Sequence, residues 1–154
     1  MSITLDPIGY VHSEIKSARD EHWGTVVAEI VLDQRFEPVA LAGLTDFSHV
    51  EVLFLLDQVS PAQIQNRSRH PRENPRWPKV GIFAQRGRAR PNRIAITICE
   101  LVSVSGLTVR VRGLDAFDGS PVLDLKPVMS EFLPEKKSIR QPSWSRELMG
   151  TYFE

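Results

Sequence analysis

The chain has 154 residues, 42% of them hydrophobic and 25% charged, and its 19 basic residues are balanced by 19 acidic ones. This is the make-up of one soluble globular domain with a real core. It shows no repeat, no low-complexity tract, no N-terminal apolar segment and no run near the about 18 apolar residues of a membrane span, so a cytoplasmic protein is expected. A net charge of zero argues against wholesale coating of DNA, but charge segregated along the chain still permits a nucleic-acid surface.

The first expected strand is Ile8–His12, followed by a polar loop or lid over Ser13–Trp23. Thr25–Leu32 is short and rich in β-branched residues, which favours a second strand. Phe36–Leu44 has Pro38 near its start and Gly43 near its end, the signature of one short helix. Ser48–Asp57 becomes apolar on both alternating faces. It therefore reads as a wall strand covered from outside or lying at a subunit interface. Ser60–Trp77 is a long irregular connection, and loops of that length are usually functional. Strands are expected again at Val80–Gln85, Ile94–Ser105 and Leu107–Arg112, the last two joined tightly at Gly106. Cys99 is the only cysteine; no disulfide can form within the chain, and its apolar surroundings point to a buried, inert thiol in a reducing compartment. Asp118-Gly119 marks a turn before a strand at Pro121–Lys126. Beyond Met129 the chain becomes polar and then takes up helical spacing over Pro142–Phe153. The whole predicts a mainly β protein, an antiparallel sheet or barrel over residues 1–128, with one short helix and a C-terminal arm, 129–154, that packs on the barrel or on a partner subunit.

Charge is concentrated in Arg67–Arg93, which holds nine of the 19 basic residues against a single acid, Glu73. That is a local excess of +8, so the rest of the chain sums to −8. Pro71, Pro75, Pro78 and Pro91 fix φ and remove donors, which makes this a shaped basic loop and not a solvated helix face. Arginine forks grip phosphates bidentately, and His70 and Trp77 lie among them where they can stack on unpaired bases. Alone, Arg86-Gly87 reads as a strand-end charge, Arg90-Pro91-Asn92 as a turn, and Asp118-Gly119 as a hairpin. The four histidines have no HxH or HxxxH spacing and no cysteine partner, so no metal site is expected. GxSxG, a P-loop and GxGxxG are all absent.

One resemblance joins these blocks. The series RHPRENPxxPxxGIFAxR, then RPN, Ile-Ala-Ile-Thr, Asp118-Gly119-Ser120-Pro121 and Asp124-Leu125-Lys126-Pro127 resembles the TsaA-like, TrmO-type family over roughly Ile8 to Val128. The family consists of β-barrel methyltransferases that use S-adenosyl-L-methionine (SAM) on tRNA, adding a methyl group to N6 of threonylcarbamoyladenosine beside the anticodon. The resemblance implies cofactor contacts at Arg86, Ile96 and Asp118-Gly119-Ser120-Pro121. By position and not identity it also implies them at Asp20-Glu21-His22 and Asp57-Gln58. It implies RNA contacts at Arg69, His70, Arg72, Trp77, Arg88, Arg90, Asn92 and Arg93, and a homodimer with the site at the subunit interface. No catalytic base is implied; Asp118 and His70 are the candidates. If SAM binds, it does so outside the Rossmann scheme. The chain departs from the family pattern at Gly87-Arg88 in place of Ser-Pro, at Arg93 in place of proline, at Ala95 in place of glycine and at Asp57 in place of histidine. These changes alter the substrate edge and keep two alternatives open: methylation of another RNA or a small molecule, and a non-catalytic RNA-binding barrel.

Overall fold

A computed structural model describes all 154 residues. Eight strands occur: β1 (Gly9–His12), β2 (Val27–Leu32), β3 (His49–Leu55), β4 (Ser68–Arg69), β5 (Val80–Gly81), β6 (Ile94–Ser105), β7 (Thr108–Arg112) and β8 (Pro121–Pro127). Six of them close an antiparallel barrel in the order β1-β2-β7-β6-β3-β8, with β8 returning to β1. Closure leaves the barrel no open edge, the usual liability of a small sheet protein. The remaining two, β4 and β5, pair as a separate ribbon, with Ser68 opposite Gly81 and Arg69 opposite Val80.

Period-two patterning explains the wall. In β7, Val109 and Val111 are fully buried while Arg110 and Arg112 are exposed. In β3, Val50, Val52 and Phe54 point inward and join Val11, Ile30, Cys99 and Val122 in one core. Truncating a buried aromatic such as Phe54 to alanine would cost about 3–5 kcal/mol. Gly106, at φ 59°, takes the first central position of the turn between Ser105 and Thr108, where a type II′ hairpin wants glycine. Two bulges bend the wall. One leaves Leu123 unpaired opposite the Leu53/Phe54 step, and the other leaves Val102 unpaired opposite β7.

Three expectations change. Phe36–Leu44 is not an α-helix: Ala40 N–H bonds the Glu37 carbonyl and Ala42 N–H the Val39 carbonyl. These are i→i−3 bonds, and Gly43 at φ 83° starts a second short turn, Leu44–Asp46, before a full α-turn can close. Val80–Gln85 is not one strand. It pairs only through Gly81, then tightens into a 3-10 turn at Ile82–Ala84 that buries Ile82. Ser60–Trp77 is not wholly irregular, since it contributes β4 and two 3-10 turns, Pro61–Gln63 and Pro71–Glu73. The one α-helix, α1 (Ser143–Met149), lies in the C-terminal segment.

The outer face of β6 is left largely open. Leu53 lies across from Ile96, Leu55 from Ile94 and Glu51 from Ile98, and the three isoleucines are each about 40% exposed. Across from β6, Glu51, Leu53 and Leu55 on the outer face of β3 are half-buried, and Met129, Phe132 and Leu133 lie beside Glu51. No helix is long and apolar enough to cross a membrane, and no three His, Cys, Asp or Glu side chains are grouped to hold a metal ion.

Candidate functional site

A cleft opens at one end of the barrel, enclosing about 560 Å³ when its open mouth is included. Its walls come from six separate stretches of chain. The early loop gives Arg19 and Trp23; the end of β3 and the turn after it give Phe54, Leu56, Asp57, Gln58 and Val59. The basic segment gives Arg86 and Arg88, and β6 gives Ala95. The approach to β8 gives Asp115, Ala116, Phe117 and Ser120, and the C-terminal segment adds Tyr152.

Several of these side chains are fixed by identifiable contacts. Arg19 Nε donates to the Glu21 carbonyl at 2.8 Å, and its Nη2 donates to the His22 carbonyl. The guanidinium also lies over the Trp23 ring, and Trp23 Nε1 donates back to the Arg19 carbonyl at 3.2 Å. The loop so closed holds His22 at φ 62°, a left-handed backbone that few residues other than glycine adopt, histidine being one that does so more readily than most. Arg86 Nη2 donates to the Ile96 carbonyl at 2.8 Å, which lays its guanidinium along the cleft. Trp23 and Phe117 pack with ring centroids 6.1 Å apart, and Arg88 lies 5.5 Å above Phe117. The Asp115 carboxylate accepts Tyr152 Oη–H at 2.5 Å on one oxygen and the Thr97 hydroxyl on the other. The Tyr152 phenol is pushed well above its ordinary range, first by burial and then by the Asp115 charge, with Arg72 and Arg86 opposing. Burial, helped by Asp115, likewise pushes the Cys99 thiol up to about 12, which keeps it neutral and unreactive.

Of the residues singled out for cofactor contact, Asp57, Gln58, Arg86 and Ser120 meet in this cleft. Asp20, Glu21 and His22 stand just outside it with exposed side chains, behind Arg19 and Trp23. Ile96 faces outward on the β6 wall and reaches Arg86 only through its carbonyl. Asp118 turns away: its Oδ1 accepts the Ser13 amide at 3.0 Å while Gly119 N–H bonds the Val11 carbonyl at 2.7 Å. Pro121 sits opposite Tyr10 in the wall. That turn therefore locks β8 to β1 and leaves Ser120 as its member in the cleft.

Among the residues singled out for RNA, several are tied into the fold. Arg72 donates to the Asp20 carbonyl (2.9 Å) and to the Leu148 carbonyl (3.0 Å). Arg90 donates to the Gln85 carbonyl at 3.0 Å, and Arg93 to the Val59 carbonyl at 2.8 Å. Arg72 and Arg93 also have left-handed backbones, at φ 49° and 53°. Gln85, itself buried, donates to the carbonyls of Arg69 and Val80 and so anchors the β4–β5 ribbon, while Arg69 is half-buried. His70 Nδ1 lies 2.7 Å from the Trp77 carbonyl, which can only accept, so that nitrogen carries the proton. Trp77 Nε1 donates to Glu147 at 3.2 Å. Arg88 and Asn92 are exposed, as are Arg67, Arg76 and Lys79, members of the basic stretch that no motif singles out.

Arg19, Trp23, Asp115, Phe117 and Tyr152 carry no motif that marks them in the sequence. A lone acid inside the apolar run Gly113-Leu-Asp-Ala-Phe117 was the one available signal, since an unpaired carboxylate there needs partners.

Comparisons with known proteins place the chain in a family. The family pattern described as "tRNA-methyltransferase O N-terminal domain" matches residues 16–132. The chain belongs to the TrmO N-terminal domain family. Among its relatives is a Mus musculus protein named tRNA (adenine(37)-N6)-methyltransferase, 38% identical over 93 residues, or 60% of this chain and 21% of that protein. Another, from Methanothermobacter thermautotrophicus, is named a probable S-adenosyl-L-methionine-binding protein. It is 36% identical over 131 residues, 82% of this chain and 90% of that one. The crystal structure of TrmO from Pseudomonas aeruginosa superposes with a TM-score of 0.75 at 26% identity, over 94% of this chain and 62% of that one. The chain thus spans about a fifth of the murine relative and under two thirds of the solved structure. Tyr152 lies outside the matched residues.

Proposed function

We propose that the protein is a SAM-dependent methyltransferase acting on tRNA, with N6 of threonylcarbamoyladenosine beside the anticodon as acceptor. The observation that carries this is the convergence of Asp57, Gln58, Arg86 and Ser120, four of the implied cofactor residues, on one cleft walled by Trp23, Phe117 and Tyr152. The donor set fits the cofactor: aromatic and arginine faces suit an adenine ring, guanidinium suits a carboxylate, and two carboxylates suit an ammonium or sulfonium. SAM supplies a methyl group already activated by the sulfonium. The protein's own part is then alignment and exclusion of water. Arg86, held by Ile96, would orient the cofactor, with Asp20–His22, Ile96, Asp118, Gly119 and Pro121 supporting or completing the site.

The exposed Arg67, Arg76, Lys79, Arg88 and Asn92 form the RNA face in this reading, while Arg69, Arg72, Arg90 and Arg93 shape it from behind. His70 and Trp77 brace the same loop and border that face. The uncovered isoleucine stripe on β6 supports a homodimer that brings a second copy against Ile96, hence against Arg86. Residues 1–128 are taken as the barrel domain and 129–154 as an arm, in a cytoplasmic protein.

Isothermal titration of SAM into the purified protein, followed by mass spectrometry of tRNA incubated with both, tests this. Micromolar binding and a methyl group on threonylcarbamoyladenosine are expected. Equal methylation of tRNA lacking the threonylcarbamoyl group would move the acceptor elsewhere. RNA binding without SAM affinity at millimolar concentration would leave only a non-catalytic RNA-binding barrel.

A further inference from the structure

The C-terminal segment supplies part of the cleft that the matched family region lacks. After α1 the chain turns back, and its backbone bonds the early loop: His22 N–H donates to the Thr151 carbonyl (3.0 Å) and Trp23 N–H to the Tyr152 carbonyl (2.8 Å). Arg72 holds the Leu148 carbonyl, and Trp77 and Arg76 reach Glu147. A Cβ built at Gly24 would overlap the Phe153 carbonyl oxygen, so the segment sits against backbone with no room between. These bonds deliver the Tyr152 hydroxyl into the cleft.

What it meets there is an unusual carboxylate. Asp115 is half-buried, each of its oxygens takes one hydroxyl, and three arginines (Arg19, Arg86 and Arg88) line the same cleft. Yet none of the seven ion pairs in the chain includes Asp115. A hydroxyl donor leaves a carboxylate its full negative charge and further lone pairs on both oxygens. The arginines of the cleft stand near this carboxylate but none touches it, and a carboxylate partly out of water with no cation in direct contact is an arrangement found where a ligand brings that contact. Asp57, the other carboxylate of the cleft, is exposed and solvated and has no such clamp.

We propose that Asp115 is the acceptor for an amino group of the bound ligand, and that Tyr152, with Thr97, is a positioning residue that fixes the carboxylate toward the cleft. The C-terminal segment is then an integral wall of the site. The inference rests on the reading of the ligand as an adenosyl compound. Two amino groups of such a ligand share the required chemistry: the exocyclic amine of adenine and the α-ammonium of the amino-acid moiety.

Titration of three ligands separates them: S-adenosylhomocysteine carries both groups, 5′-methylthioadenosine only the adenine amine, and 5′-methylthioinosine neither. Wild-type protein, Asp115→Asn and Tyr152→Phe are compared, with thermal unfolding of each to establish that the variants are folded. A hydrogen bond between charged partners predicts a loss of about 10- to 100-fold for S-adenosylhomocysteine in Asp115→Asn. The same selectivity is expected in Tyr152→Phe, at about 3- to 10-fold. If methylthioadenosine binding is unchanged, the partner is the α-ammonium. If it falls too while methylthioinosine binding holds, the partner is the adenine amine. An equal loss for all three ligands, or no loss in Asp115→Asn, overturns the proposal. Wild-type protein that binds none of the three removes the adenosyl-ligand reading itself, a failure distinct from the first.

Discussion

The Tyr152 hydroxyl donates to Asp115 at 2.5 Å, joining the C-terminal segment to the strand approach that forms the floor of the cleft. The bond spans 37 residues of sequence and makes one wall of the site depend on a stretch outside the family's matched region. If the proposed site holds, perturbing the segment should register in both stability and ligand affinity.

Arg86→Ala should abolish SAM binding and leave the fold intact. The side chain is exposed and makes one hydrogen bond, to the Ile96 carbonyl, so its loss should change unfolding free energy by no more than about 1 kcal/mol. Calorimetric affinity at wild-type level in this variant would remove Arg86 from the cofactor site.

Gly24→Ala should loosen the C-terminal segment. The new methyl group meets the Phe153 carbonyl, which is backbone and cannot rotate away. A destabilisation of about 1–3 kcal/mol by chemical denaturation is expected, together with faster amide exchange at His22 and Trp23, whose N–H groups bond this segment.

Alkali should destabilise the protein earlier than surface titration requires. Cys99, ordinarily at 9.0, is pushed up to about 12, and Tyr152 is raised above its ordinary 10.0. In the unfolded chain both groups ionise first, so there the unfolded state binds fewer protons than the native state. Their stabilisation is complete below pH 9.0 and is lost as pH rises toward about 12. Denaturant midpoints measured from pH 8 to 11 should fall, and less steeply in Cys99→Ala combined with Tyr152→Phe.

The outer face of β6 should control assembly. Ile98 is 43% exposed and lies directly across from Glu51, so Ile98→Lys gains an ion-pair partner within the wall while placing charge on the proposed interface. Sedimentation should find a dimer for the wild type and a folded monomer for this variant. A dimer that survives this change would put the interface elsewhere.

RNA affinity should depend on salt through the exposed arginines. Arg67→Ala and Arg76→Ala should each reduce the slope of log K against log salt by about 0.7–0.9. Arg93→Ala should act chiefly through stability, because its guanidinium is occupied by the Val59 carbonyl.

The amino-acid order alone determined the wall. Val-x-Val alternation in β3 and β7, Gly106 between two strands and the apolar run around Cys99 each specify a strand or turn through local sterics and a period of two. Closure itself, the pairing of β8 with β1, was decided only in the fold. The basic segment and Arg86 were legible too, because clustered charge and a run of family motifs are one-dimensional signals. Tertiary structure decided the rest. Whether Arg72 and Arg93 meet phosphate or hold carbonyls depends on what lies within about 3 Å, and those carbonyls come from distant parts of the chain. Asp115 and Tyr152 look ordinary in sequence. They become a pair only when closing the barrel puts the approach to β8 beside Thr97 and the C-terminal segment folds back over Gly24. A hydrogen bond carries no sequence period; it exists only where folding has brought donor and acceptor together.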